Sequence, residues 1–217
     1  MESLVAVSTT DLAYEEILKR IVRGDLAEGS PIKGSCIAEE LGVSRTPVVQ
    51  AIARLVAEGV LHQELNHRAI VAQGAGSWFH NVHEVRLLLE PAAARAASGN
   101  LPKSILEELY KLSEAFDPEH GLEALREFAF QFDHALHSSI AHSSGNLLLC
   151  SIIQKCMSFK RFAYRVPNDP LDRLTRSHQE HLEILRAIES GDAETAAAAM
   201  LFHLRSTSRE LPDKKVI

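Results

Sequence analysis

The sequence has no apolar run near the roughly 20 residues that a membrane span needs. Its first residues, MESLVAVSTTDLAYEE, lack a basic region followed by a long apolar core, so no secretory signal is expected. Cysteine is scarce. Cys36, Cys150 and Cys156 are odd in number, include no CxxC, and sit in helical patterns, so they read as reduced, mostly buried thiols of a cytoplasmic protein. Eight Pro and eleven Gly are too few for a disordered chain. Positive charge is short as well: 23 Lys/Arg stand against 29 Asp/Glu, a net charge of -6. The deficit is even along the chain, with seven Lys/Arg against ten Asp/Glu in residues 1–74 and sixteen against nineteen in residues 75–217. Neither part has the basic excess that by itself announces nucleic-acid binding, so any DNA contact must come from local placement of charge.

What is present is an ordinary globular composition, 46% hydrophobic and 24% charged over 217 residues, enough for one large or two small domains. Two textures divide the chain. Residues 1–73 read as one domain of short mixed elements. DLAYEEILKRIVRGDL has apolar residues at helical spacing, with Gly24 as its stop. GSCIAEELG is a short helix with Ser35 as its expected cap. VSRTPVVQAIARLVAEG is a second helix, ending at Gly59. VLHQELNHRAIVAQ then offers two β-prone runs around Asn66-His67, which predicts a hairpin. QGAGSW, residues 73–78, reads as a linker. Residues 79–217 carry no comparable strand signal. Breaks at SGNLP, FDPEHG, HSSGN, VPNDP and ESGD predict helices near 80–97, 102–115, 121–143, 146–165, 170–190 and 192–210. Short loops between them imply an antiparallel bundle. The expected fold is mainly α: a winged helix–turn–helix with a small β-hairpin, followed by an antiparallel all-α bundle.

The helix–turn–helix reading rests on several positions that fit together. Ile37, Ala38 and Leu41 face inward on the first helix, and Gly42 sits at the turn, where a positive φ is often needed. Val43 plugs the space below the turn. Val48, Ala51, Ile52 and Leu55 form the buried stripe of the second helix. Its exposed face then carries Arg45, Thr46, Val49, Gln50 and Ala53. Ser44 or Thr46 can cap the helix, and its first-turn N–H groups can meet a phosphate. Arg45 can reach a guanine edge or a phosphate, and Gln50 can pair with adenine. His67 and Arg68, at the hairpin tip, can touch backbone or minor groove.

These residues carry a resemblance. LAEGSPI…IAEELGVSRTPVVQAIARLVAEGVL is similar to the GntR family of bacterial transcription regulators over about residues 10–73. EVRLLLEPAAARAA, FDHALHSSIAHSSGN and HLEILRAIESGDAETAAAAMLFHL resemble the marker segments of the FCD effector domain in the FadR-type branch. Two departures bear on which operator is read. The family usually follows SRTPV with Arg-Glu, where this chain has Val49-Gln50. It usually has a Gly near the hairpin tip, where this chain has Arg68.

The eleven histidines suggest a further site. Asp133 and His137 stand i, i+4 on one helix and point the same way. His181 and His203 project from apolar stretches of the last two helices. Three helices of an antiparallel bundle can bring the four side chains to one point, a donor set that suits Zn²⁺, or Ni²⁺ or Mn²⁺. The resemblance implies the same thing, since many FCD domains hold a metal through an Asp-x3-His pair and two later histidines. His134, His142 and His178 read as ordinary histidines, although His178, one turn before His181, can support a ligand from outside the site or serve as an alternative ligand. The resemblance also implies an effector pocket here, often for an organic acid. Arg86 can bind a carboxylate bidentately, or can simply pair with Glu90 at i+4 on the surface. Arg161 and Arg165 are further candidates.

Three functions follow. The first is a non-enzymatic regulator, a homodimer on palindromic double-stranded operator DNA, repressing by the mode commoner in the family and controlled by a small carboxylate at the metal. The second is a metal hydrolase built on the Asp/His site, for which no motif places a general base. The third is a regulator that senses the metal alone.

Overall fold

A computed structural model describes residues 8–65, 68–163 and 171–208, with backbone only for Phe79, residues 158–163 and Ser208. The chain divides into two compact units, one up to Phe79 and one from His80 onward.

In the first unit, α1 spans Thr9–Arg23, α2 Gly34–Glu40 and α3 Arg45–Ala57. The Asp11 N–H donates to Ser8 Oγ at 3.1 Å and caps α1. Gly24, at φ 80°, ends it, and its N–H donates to Ile21 O. The apolar spacing of α1 buries Ala13, Tyr14, Ile17, Leu18 and Ile21. Leu12, part of the same pattern, is exposed. This stripe packs against α3, which buries Pro47, Val48, Ala51 and Leu55. Ile37 and Ala38 of α2 are buried too, while Leu41, Val43 and Ile52 are half-buried. The turn closes as read: Gly42 has φ +65°, and the Val43 N–H donates to Ala38 O at 3.0 Å. Ser35 is not the cap of α2. The helix begins two residues earlier, at Gly34 with Lys33 at the cap position, and the Cys36 and Ile37 N–H groups donate to Lys33 O. Gly34 inside the helix allows the close approach to α3, because a Cβ there would lie 3.2 Å from Ile52 Cδ1.

The wing is a two-stranded antiparallel ribbon, β1 Leu61–Gln63 and β2 Ala69–Val71, with Leu61 opposite Val71. Leu61, Ala69 and Val71 turn inward, and the Glu64 N–H donates to Arg68 O at 2.9 Å beyond the last pair. Residues 73–78, expected as a linker, hold a 3-10 turn at Ala75–Ser77, with Ala75 buried and the next helix starting at Trp78.

The second unit is all helical among the described residues: α4 Trp78–Ala97, α5 Lys103–Ser113, α6 Leu122–Ser143, α7 Leu147–Ala163, α8 Leu171–Ser190 and α9 Ala193–Ser208. Asp192 caps α9, accepting from the Glu194 and Thr195 N–H groups at 3.1 Å each. Asp169-Pro170, the expected start of α8, lies outside the described residues. Helix α6 packs on α7 and α8, and α8 on α9. Phe132, Leu136, Ile140, Ile184, Leu185, Met200 and Leu204 fill the space between them. Small residues do the rest. Ala196 and Ala197 of the alanine run are buried, and the Gly99 N–H donates to Ile188 O at 2.9 Å beside the Gly191 turn. Cys150 and Cys156 are buried free thiols as expected, but Cys36 is exposed, because it lies on the outer side of α2. Among the described residues, no helix is long and apolar enough to cross a membrane.

Candidate metal centre and DNA-reading face

The 3.6-residue period of α6 puts Asp133 and His137 on one inward face, one turn apart. The neighbouring helices bring His181 from α8 and His203 from α9 to the same point. One ligand atom from each of the four residues lies within 4.8 Å of the others, and all four side chains are buried. The Nε2 atoms of His181 and His203 face each other at 3.1 Å. His181 Nε2 is also 3.1 Å from Asp133 Oδ1. His137 Nε2 is buried without a hydrogen-bond partner, 3.6 Å from the same carboxylate oxygen. Imidazole nitrogens and a carboxylate converging out of water form a donor set that fits a first-row divalent ion.

The outward nitrogens explain why the Nε2 atoms face in. His137 Nδ1–H donates to Glu90 of α4, and His203 Nδ1–H donates to Glu180 Oε2 at 2.9 Å. Ser206 Oγ–H donates to the other Glu180 oxygen at 2.7 Å. A carboxylate on Nδ1 fixes the tautomer and leaves the Nε2 lone pair for an ion. Glu90 is further held by Arg86, whose Nε and Nη2 both donate to it. Burial by itself would raise the Glu90 carboxyl. The Arg86 guanidinium and the His137 ring outweigh it and hold the group well below the usual carboxylate range. Arg86 therefore does make the i, i+4 pair with Glu90, but in the interior rather than on the surface, because α4 turns that face toward α6.

His178 is not in the cluster. Its ring stacks on Phe116 with centroids 4.1 Å apart, and burial pushes its imidazole down to about 4. His134 and His142 are exposed. The side chain of Arg161 and the whole of Arg165 lie outside the described residues. The outer carboxylates were the part of the site that motif spacing did not bring out. Glu90 stood there only as a partner for Arg86, and the one signal for Glu180 is that it directly precedes His181.

In the first unit, Arg45, Thr46, Val49, Gln50 and Ala53 form one exposed side of α3, opposite its buried stripe. Val49 is 63% exposed, which is high for a Val. Ser44 occupies the N-cap position with an extended backbone, and its side chain makes no capping bond. Thr10 Oγ–H donates to Gln50 Oε1 at 2.9 Å, so α1 borders this face. Arg54 is turned away from it. It pairs with Asp11 at 3.2 Å and Glu58 at 3.1 Å, and lies 4.1 Å over the Tyr14 ring. Arg68 is exposed at the end of the wing, and His67 lies outside the described residues.

Residues 9–71 match the family model for bacterial regulatory proteins of the gntR family, and residues 81–206 match the FCD domain. The chain belongs to the GntR family. This GntR-family protein is 28% identical over 200 residues to a relative from Paenarthrobacter nicotinovorans named "Probable D-xylose utilization operon transcriptional repressor", covering 87% of this chain and 82% of that one. It is 27% identical over 207 residues to the gluconate operon transcriptional repressor of Bacillus subtilis (strain 168), covering 94% and 83%. The solved structure of E. coli McbR/YncC shares its fold, with a TM-score of 0.65 at 22% identity over 94% of this chain and 97% of that one. The GntR-family chain is a DNA-binding transcription regulator with an effector-responsive helical domain.

Proposed function

We propose that this regulator is a repressor whose hold on its operator is set by a small organic acid bound at a divalent metal in the FCD domain. Residues 1–73 are the DNA-binding domain in this reading, 73–78 the connection, and 79–217 the effector domain. Asp133, His137, His181 and His203 hold the ion, zinc first and nickel or manganese as alternatives. The observation that carries the reading is the buried His137 Nε2, without a hydrogen-bond partner, beside two imidazole nitrogens facing each other. Two neutral Nε2 atoms at such a distance are poorly accommodated without a proton or an ion between them. Charge supports the ion as well. Three carboxylates and one guanidinium form the buried shell, and a divalent cation balances their two excess negative charges. An ion that prefers five or six ligands leaves a position for a carboxylate oxygen. The gluconate repressor, named for an organic acid, supports that class of effector.

On the DNA side, the N-terminus of α3 with Ser44, Arg45 and Thr46 meets phosphate and the groove, and Val49 and Gln50 face bases. His67 and Arg68 reach the backbone from the wing. A cytoplasmic homodimer presents two such readers to half-sites about one helical turn apart. Arg86, with Arg161 and Arg165, supplies positive charge for the acid. The test is elemental analysis of protein purified without chelator, followed by calorimetric titration with gluconate and related acids. One equivalent of ion and acid binding that is lost in Asp133→Ala are expected. Acid binding that survives in Asp133→Ala would refute the assignment. DNA affinity that follows the ion and ignores every acid would indicate a metal sensor instead.

A further inference from the structure

Resting on that metal reading, we propose that Arg86 sets the strength of the ion site from outside it, by competing with His137 for one buried carboxylate. Glu90 is the shared acceptor. Arg86 Nη2 reaches its Oε2 at 3.4 Å, and His137 Nδ1–H donates to the same oxygen. Arg86 Nη2 is also only 3.5 Å from His137 Nδ1. All three side chains are buried, so water does not screen their mutual influence. The negative charge of Glu90 makes His137 a better donor at Nε2, as an outer carboxylate does for a metal-bound histidine. The guanidinium draws that charge away. Arg86 and Glu90 are thus positioning residues of opposite sign, both acting through His137.

The other outer carboxylate, Glu180, has an exposed cation nearby. Glu180 accepts from Ser206, and the Arg176 Nε near it is 3.9 Å away on a side chain that is 55% exposed. A cation so placed is largely screened. Arg176 is therefore expected to act on the ion site far less than the buried Arg86 does.

The experiment titrates the full chain, stripped of metal, with Co²⁺, reading both affinity and the visible d–d band. Glu90→Gln keeps an oxygen that can accept from Nδ1–H but removes the charge, and it weakens Co²⁺ binding by about 10- to 100-fold. Arg86→Met tightens binding. The double variant, Arg86→Met with Glu90→Gln, returns to within about threefold of the parent with the parent's band, because the two effects oppose each other through one ligand. Arg176→Met leaves the affinity unchanged. A purely structural role makes both single variants weaker and the double weaker still, and that result overturns the proposal. If a single variant does not fold, the double variant decides: parent-like affinity and band support the relay, and tenfold weaker binding or an altered band overturns it. A parent protein that gives no Co²⁺ band removes the metal reading itself, which is a different failure.

Discussion

His203 and Glu180 are joined by a 2.9 Å hydrogen bond from Nδ1–H to Oε2, so His203 Nε2 is turned toward His181 rather than toward a helix backbone. This contact links α8 to α9 at the point where the ion is proposed to sit.

Metal removal is therefore expected to loosen the helical unit. A ligand that binds only the folded state at a thousandfold excess over its Kd stabilises by about 4 kcal/mol, or roughly 10 °C in Tm. Thermal scans of chelated and Zn²⁺-loaded protein should differ by that order, and the difference should vanish in His203→Ala. Equal melting of the two forms would remove the ion from the account.

Val49 is an exposed apolar residue on the outer side of α3. Val49→Arg is expected to tighten DNA binding and to shift preference toward a G·C pair by about 1–3 kcal/mol at one position. Selection from a randomised DNA pool measures this. An unchanged preference would show that position 49 does not face the groove.

Arg54 lies on the same helix but is engaged by Asp11, Glu58 and the Tyr14 ring. Arg54→Met should lower the Tm of the first unit by an amount equivalent to about 1 kcal/mol, since the side chain is partly exposed. The same variant should leave the selected DNA sequence unaltered. A changed sequence would mean that Arg54 swings out to read bases.

His178 gives a pH dependence of known sign. Burial lowers its folded pKa to about 4, below the ordinary 6.5. The unfolded chain then binds more protons between those values, so stability falls as pH drops from about 6.5 to 4. His178→Phe keeps the stack on Phe116 and removes this contribution. The Tm of metal-free protein should drop less between pH 7 and pH 5 in the variant than in the parent; an identical drop would mean that His178 is not buried in solution.

Much of this was legible in residue spacing. The turn at Gly42, the buried stripe of α3 and the breaks between bundle helices follow from local backbone and periodicity rules, which act within a few residues. Asp133 and His137 share a face for the same reason. The outer carboxylates were harder to see. Glu90 meets His137 across 47 residues and Glu180 meets His203 across 23, so their roles depend on how the helices pack. The cap of α2 falls at Lys33 rather than Ser35 because the Lys33 carbonyl accepts the Cys36 and Ile37 N–H groups, a backbone choice that residue type does not announce.

The most direct test of the central claim is fluorescence anisotropy on labelled DNA from the region flanking the gene, titrated with gluconate and related acids. Metal-loaded protein, chelated protein and His137→Ala are compared at one salt concentration. The account predicts that an acid changes the DNA affinity of the loaded protein at least tenfold, about the 1.4 kcal/mol of an ordinary allosteric coupling, and leaves the other two unmoved. An acid response of equal size in all three would contradict it.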